Sequence, residues 1–107
     1  MTGRIPTFND LMNQCLDELH VIRKTCSNNE LRNHIKNRLH IDNLTQKEEK
    51  DLRRVTAWVK TYFIHYGLLE SGHRGEWKLT PFGKSIEKVN PNEVRTRYYN
   101  DKNNLTK

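Results

Sequence analysis

Apolar residues spaced three and four apart open the chain. Phe8, Leu11, Met12, Cys15, Leu16, Leu19 and Ile22 form one stripe and predict a helix over residues 8–22. Thr7 stands before the stripe as its N-cap, with Asp10 three residues on in a variant of the capping box. Ser27-Asn28-Asn29-Glu30 is a full S-x-x-E capping box and starts a second helix, on which Leu31, Ile35 and Leu39 recur every four residues. Asp42-Asn43 interrupts that pattern, and the gap between the two helices leaves room only for a very short extended segment near Thr25.

Thr45-Gln46-Lys47-Glu48 is another capping box and starts the longest segment, which runs to Tyr66 and stops at Gly67, a natural left-handed cap. Residues 45–50, polar throughout, fit a separate turn as well. On a wheel of about 100° per residue, Leu52, Val55, Trp58, Val59, Tyr62, Phe63 and Tyr66 share the packed face of this third helix. Arg53, Arg54, Ala57, Lys60, Thr61, Ile64 and His65 share the outward face, which mixes cations with small residues and carries no carboxylate.

After Gly67 the period changes. Leu68-Leu69-Glu70-Ser71 is short and strand-like, Gly72-His73-Arg74-Gly75 is a turn, and Glu76-Trp77-Lys78-Leu79 alternates like a half-buried strand. Together they predict a β-hairpin with a basic tip, Trp77 turned inward and Glu76 and Lys78 turned to solvent. Thr80-Pro81 is an N-cap followed by proline at the first helical position. It predicts a short helix with Phe82, Ile86 and Val89 on its apolar face, ended by Asn90-Pro91. The expected fold is mainly α with a small β-hairpin: a winged helix-turn-helix, made of a three-helix bundle plus wing and a short C-terminal helix. It occupies residues 1–90, and residues 91–107 read as a loosely ordered polar basic tail or linker.

A chain of 107 residues, 34% hydrophobic and 30% charged, holds one small domain and excludes a two-domain enzyme, a large barrel or a doubly wound sheet. No stretch approaches the ~20 apolar residues of a membrane span. The opening Met1-Thr2-Gly3-Arg4-Ile5-Pro6 lacks the apolar run of a signal peptide. A cytoplasmic protein without a membrane partner is expected. The net charge of +6 is uneven: 8 Lys+Arg against 7 Asp+Glu over residues 1–50, 7 against 4 over residues 51–88, and 4 against 2 over residues 89–107. A basic excess toward the C-terminal part suits a polyanion, most often nucleic acid.

Neither cysteine belongs to a C-x-x-C pair: Cys15 lies on the first stripe and Cys26 near a turn. Both read as reduced thiols. His20, His34, His40, His65 and His73 share no ligand spacing with cysteine or carboxylate, so no metal or cofactor is expected. Glu76-Trp77-Lys78 is literally the E-x-K of metal-dependent nucleases. That chemistry needs a second carboxylate on a neighbouring strand to hold Mg²⁺, and only Glu70 is near in sequence. The chain is therefore expected not to be an enzyme.

Several segments, in order, resemble the N-terminal domain of Mrr-type restriction endonucleases over roughly residues 4–89. They are Ile5-Pro6-Thr7-Phe8 with Leu11-Met12, then Arg54-Val55-Thr56-Ala57-Trp58-Val59-Lys60-Thr61-Tyr62, then Gly67-Leu68-Leu69-Glu70, and finally Arg74-Gly75-Glu76-Trp77-Lys78-Leu79-Thr80. The connection before the third helix is shortened to Leu44-Thr45-Gln46-Lys47-Glu48-Glu49-Lys50 relative to the family pattern. The resemblance implies a winged-helix DNA-recognition domain, which in full-length members precedes a nuclease domain that cleaves modified DNA. That nuclease domain is not part of this sequence and would be fused or recruited in trans.

The function expected is binding of double-stranded DNA, modified or not. The third helix would enter the major groove, about 12 Å wide, and the wing would hold the backbone. Arg53, Arg54 and Lys60 suit phosphates or guanine edges, Thr61 a hydrogen bond, and Ala57 and Ile64 a thymine methyl. His65 on the same face, and His73, Arg74 and Lys78 on the wing, complete the candidate set. The alternative is a protein-interaction or homodimerisation module on the same fold, contacting partners through Ile64 and the Tyr98-Tyr99 pair.

Overall fold

The computed structural model describes residues 6–41 and 43–105, except the side chains of residues 101–105. Thr7 Oγ1 accepts the Asp10 backbone N–H at 3.3 Å and starts α1 (Phe8–Ile22). Arg23 closes that helix in the left-handed conformation, its N–H donating to the Leu19 carbonyl. The capping boxes at Ser27 and Thr45 are both complete, each side chain accepting from the backbone of the glutamate that bonds back to it. They start α2 (Asn28–Arg38) and α3 (Gln46–Tyr66). Glu48 closing the second box makes residues 46–50 the first turns of α3 rather than a separate turn. Gly67, at φ 90°, caps α3 as expected of a residue without a Cβ.

The three helices meet on Leu11, Met12, Cys15, Leu16 and Leu19 of α1, Leu31 and Ile35 of α2, and Leu52, Val59 and Phe63 of α3, all buried. Polar ties fasten the outside of the bundle. Arg38 of α2 bonds Asp17 at 3.0 Å and Glu18 at 3.1 Å on α1, and Lys36 reaches Glu49 of α3 at 2.9 Å.

One part of the packed face of α3 differs from expectation. Trp58 is 49% exposed, while Thr56 is buried, its hydroxyl donating to the Leu52 carbonyl at 2.7 Å. Leu52, Thr56, Val59 and Phe63 follow one another at helical steps and form a narrower stripe than the apolar residues alone suggest. Trp58 stands at its margin, edge-on to Tyr62 with ring centroids 6.2 Å apart.

The sheet keeps the base of the expected hairpin and adds a pairing that the sequence did not suggest. β1 (Cys26–Ser27) and β2 (Glu76–Trp77) pair antiparallel, Cys26 opposite Trp77 and Ser27 opposite Glu76. Residues 68–71 meet the far end of the hairpin at the bridge Leu69 to Leu79, flanked by the Glu70 N–H donating to the Lys78 carbonyl and the Thr80 N–H donating to the Leu68 carbonyl, both at 2.9 Å. The Trp77 indole is buried. The ring packs edge-on to Phe63, its Nε1–H donates to Asn28 Oδ1 at 2.7 Å, and the Asn28 N–H donates to the Gly75 carbonyl at 3.0 Å. The root of the wing is thus drawn to the start of α2. Glu76 and Lys78 are exposed on either side of buried Trp77, as the alternation requires.

α4 (Pro81–Ser85) is a short helix capped by Thr80, but it ends before Ile86, whose backbone is extended. Phe82 is 46% exposed and leans on Tyr66, and Gly83 makes the close approach instead. A Cβ built there would lie 2.2 Å from the Leu68 carbonyl oxygen, a backbone atom that cannot swing away. Gly83→Ala is expected to lower the stability by about 1–3 kcal/mol, measured by urea unfolding, because the strand-to-helix junction must shift.

Residues 91–105 form a helix, α5 (Pro91–Leu105), not a loosely ordered tail. Val94 is fully buried, and Tyr98, one turn on, stacks on Tyr62 of α3 with centroids 4.3 Å apart and planes 12° from parallel. Two apolar residues among many polar ones therefore fasten the helix. Val94→Ala is expected to lower stability by about 2 kcal/mol in the same urea titration, where a loose tail would show no change. The described residues thus form five helices and one two-stranded antiparallel sheet, an arrangement compatible with a winged helix. No helix among them is long and apolar enough to cross a membrane.

Candidate nucleic-acid interface

The start of α2, the outer face of α3 and the wing surround an open groove of about 630 Å³. Arg53, Ala57, Lys60 and Thr61 line it from α3, at spacings that keep them on one side of the helix. The buried Thr56 lies beneath them. Asn28, Leu31 and Arg32 line it from α2, and Arg74 and Trp77 from the wing. Arg32, Arg53, Lys60 and Arg74 supply its positive charge, and no lining residue bears a carboxylate.

Local structure places each cation. Arg32 lies two residues beyond the capping box of α2, and its guanidinium donates to Asn29 Oδ1. Lys60 is half-buried and its ammonium donates to the His73 carbonyl at 3.0 Å, which ties α3 to the wing. Arg74 is exposed between Gly72 and Gly75, whose φ angles of 85° and 78° suit glycine. That turn can approach a surface closely.

The cations are crowded. Burial, and after it the neighbouring Arg53 charge, pulls the Arg32 guanidinium below its ordinary pKa, with Glu49 acting in the opposite sense. Burial also pulls the Lys60 ammonium down, opposed by Glu76. An arriving anion would relieve both effects, since it favours the charged forms that burial penalises. Cys26 lies near Lys60, but burial and the charge of Glu30 push its thiol up to about 11, so it presents no competing thiolate. The groove therefore offers guanidinium, ammonium and hydroxyl donors in a concave, positively charged setting.

Of the residues expected from the sequence to make contact, Arg53, Ala57, Lys60, Thr61 and Arg74 come together here. Arg54 stands exposed on α3 outside the lining, 3.3 Å from Asp51. His73 contributes its carbonyl to Lys60, while its ring faces Glu70 at 3.1 Å. Ile64 packs against the core, and His65 meets Tyr98 of α5 edge-on at 4.9 Å. The outward ridge of α3 is consequently open over its middle and covered toward its C-terminal end. Lys78 lies beside a different recess, 3.8 Å from Glu70.

Sequence reasoning missed Asn28 and Arg32. They stand four apart at the start of α2, a spacing visible in the sequence, but their approach to the wing depends on the β1–β2 pairing. Among the described residues no group of three His, Cys, Asp or Glu side chains is arranged to hold a metal ion.

Residues 8–88 match the family described as the Mrr N-terminal domain. The chain belongs to that family. The match takes in α1 to α4, both strands and every residue lining the groove of this Mrr N-terminal domain, and it stops short of α5. No curated protein and no solved structure matches the chain.

Proposed function

We propose that this Mrr N-terminal domain binds double-stranded DNA as a non-enzymatic recognition module of a restriction-type system in the cytoplasm. The carboxylate-free groove with Arg32, Arg53, Lys60 and Arg74 on three separate elements is the observation that carries the reading. The exposed middle of α3 enters the major groove, where Ala57 and Thr61 meet base edges and Arg53 and Lys60 meet phosphates or guanines. Arg32 and Arg74 hold the flanking backbone, and Arg54 adds charge at the rim. Ile64, His65 and Lys78 stand outside this contact, and His73 serves it through its backbone. α5 braces α3 and belongs to the same unit. Cleavage falls to a nuclease domain, in the same polypeptide or in trans.

Fluorescence anisotropy of a labelled short duplex at two salt concentrations tests the proposal. Four phosphate contacts predict a slope of log K against log salt of about −3 to −4. No duplex affinity at low salt would sink it. The exposed Trp58 and Tyr99, both near Tyr62, favour a docking or dimerisation surface as the second reading. Light scattering showing a stable dimer that has no duplex affinity would decide for it.

A further inference from the structure

A second recess, of about 550 Å³, lies between the C-terminal end of α1, the chain entering β1, and the segment from β2 into α4. Its floor is apolar, built from Leu19, Leu79 and Trp77. Arg23, Lys24, Lys78 and Lys84 stand around it, and no lining residue carries a carboxylate. Arg23 and Lys24 complement the carbonyl end of α1, but that does not explain Lys78 and Lys84, which come from other elements. The walls are fixed. His20, also in the lining, bonds the Ile86 carbonyl through Nε2 at 2.8 Å, the Arg23 N–H caps α1, and Cys26 pairs with Trp77. Lys78 has one weak carboxylate neighbour, Glu70 at 3.8 Å, outside the lining.

A cavity of this size falls in the range of small-molecule sites, roughly 300–1,000 Å³, which combine an apolar lining with a few convergent polar groups. A duplex is too broad and too polar to seat on Leu19 and Leu79. From this combination we infer that the recess binds a small amphipathic organic anion, its apolar body on Leu19, Leu79 and Trp77 and its acidic group among Lys78, Lys84, Arg23 and Lys24. The site is separate from the proposed duplex-binding groove, with which it shares only Trp77.

Anilinonaphthalene sulfonate, an aromatic sulfonate of this chemistry, is the probe. The expected result is a fluorescence rise that saturates as a single site on the folded protein. Lys78→Glu with Lys84→Glu weakens it by about tenfold or more, and Arg53→Glu leaves it unchanged. Both lysines are exposed, so the variant keeps the fold, and an unaltered circular dichroism melt verifies that. Lys84→Glu alone gives a smaller loss in the same direction. No saturable signal, or a signal unaffected by the lysine variants, overturns the inference. So does a Lys78→Glu, Lys84→Glu protein that loses duplex affinity as fully as Arg53→Glu, because the recess would then belong to the duplex footprint. Loss of duplex binding in Arg53→Glu alone bears only on the proposed function.

Discussion

If the proposed function holds, Arg53→Glu combined with Lys60→Glu is expected to lower the affinity for duplex DNA about a hundredfold near 0.1 M salt and to flatten the salt dependence by about two units of slope. Both side chains line the groove from one side of α3, and the groove has no acidic lining residue for an introduced glutamate to replace. Each substitution removes a cation that would displace counterions from phosphates and puts a repelling charge in its place. Lys60 also bonds the His73 carbonyl, so its loss loosens the wing as well. Arg53→Glu alone separates the two effects, because Arg53 is exposed and its charge acts without that tie. It is expected to weaken binding about tenfold with the thermal melt unchanged. Arg54→Glu, beside Asp51 and outside the groove, has a smaller effect. Duplex binding by the double variant as tight as that of the original protein would remove the groove from the interface.

Trp77→Ala is expected to be the most damaging single change to stability, lowering it by about 3–5 kcal/mol. A domain of this kind has only about 5–15 kcal/mol in total. The indole is 2% exposed, packs edge-on to Phe63 and donates to Asn28 Oδ1, and its backbone forms half of the β1–β2 pair. Truncation leaves a cavity and an unpaired amide oxygen in the same place. A drop in Tm of more than about 10 °C follows. Trp77→Phe keeps most of the volume but loses the N–H, so it should cost about 1–3 kcal/mol for the unsatisfied Asn28 oxygen. A melt of the alanine variant within a few degrees of the original would show that the wing root does not depend on this residue.

The helices were legible because their signals are local. Thr7, Ser27 and Thr45 act on residues three places away, and the stripe from Phe8 to Ile22 needs no partner to be recognised. The α3 half of the groove was legible for the same reason, since Arg53, Ala57, Lys60 and Thr61 follow helical spacing. The α2 half was not. Arg32 reaches the groove because Ser27 pairs with Glu76, a contact between residues far apart in sequence that no local signal marks. α5 escaped notice because Val94 and Tyr98 are sparse among polar residues, and their worth depends on Tyr62 being there to receive them. Trp58 misled because hydrophobicity marks what can be buried, whereas the small Thr56 satisfies its hydroxyl within the helix and takes the inner position.

Trp77 walls both the groove beside α3 and the recess beside α1. A single indole is therefore common property of two cavities, so trimming it would open both linings at once, and a change of shape on one side of the wing root cannot be made without redrawing the other.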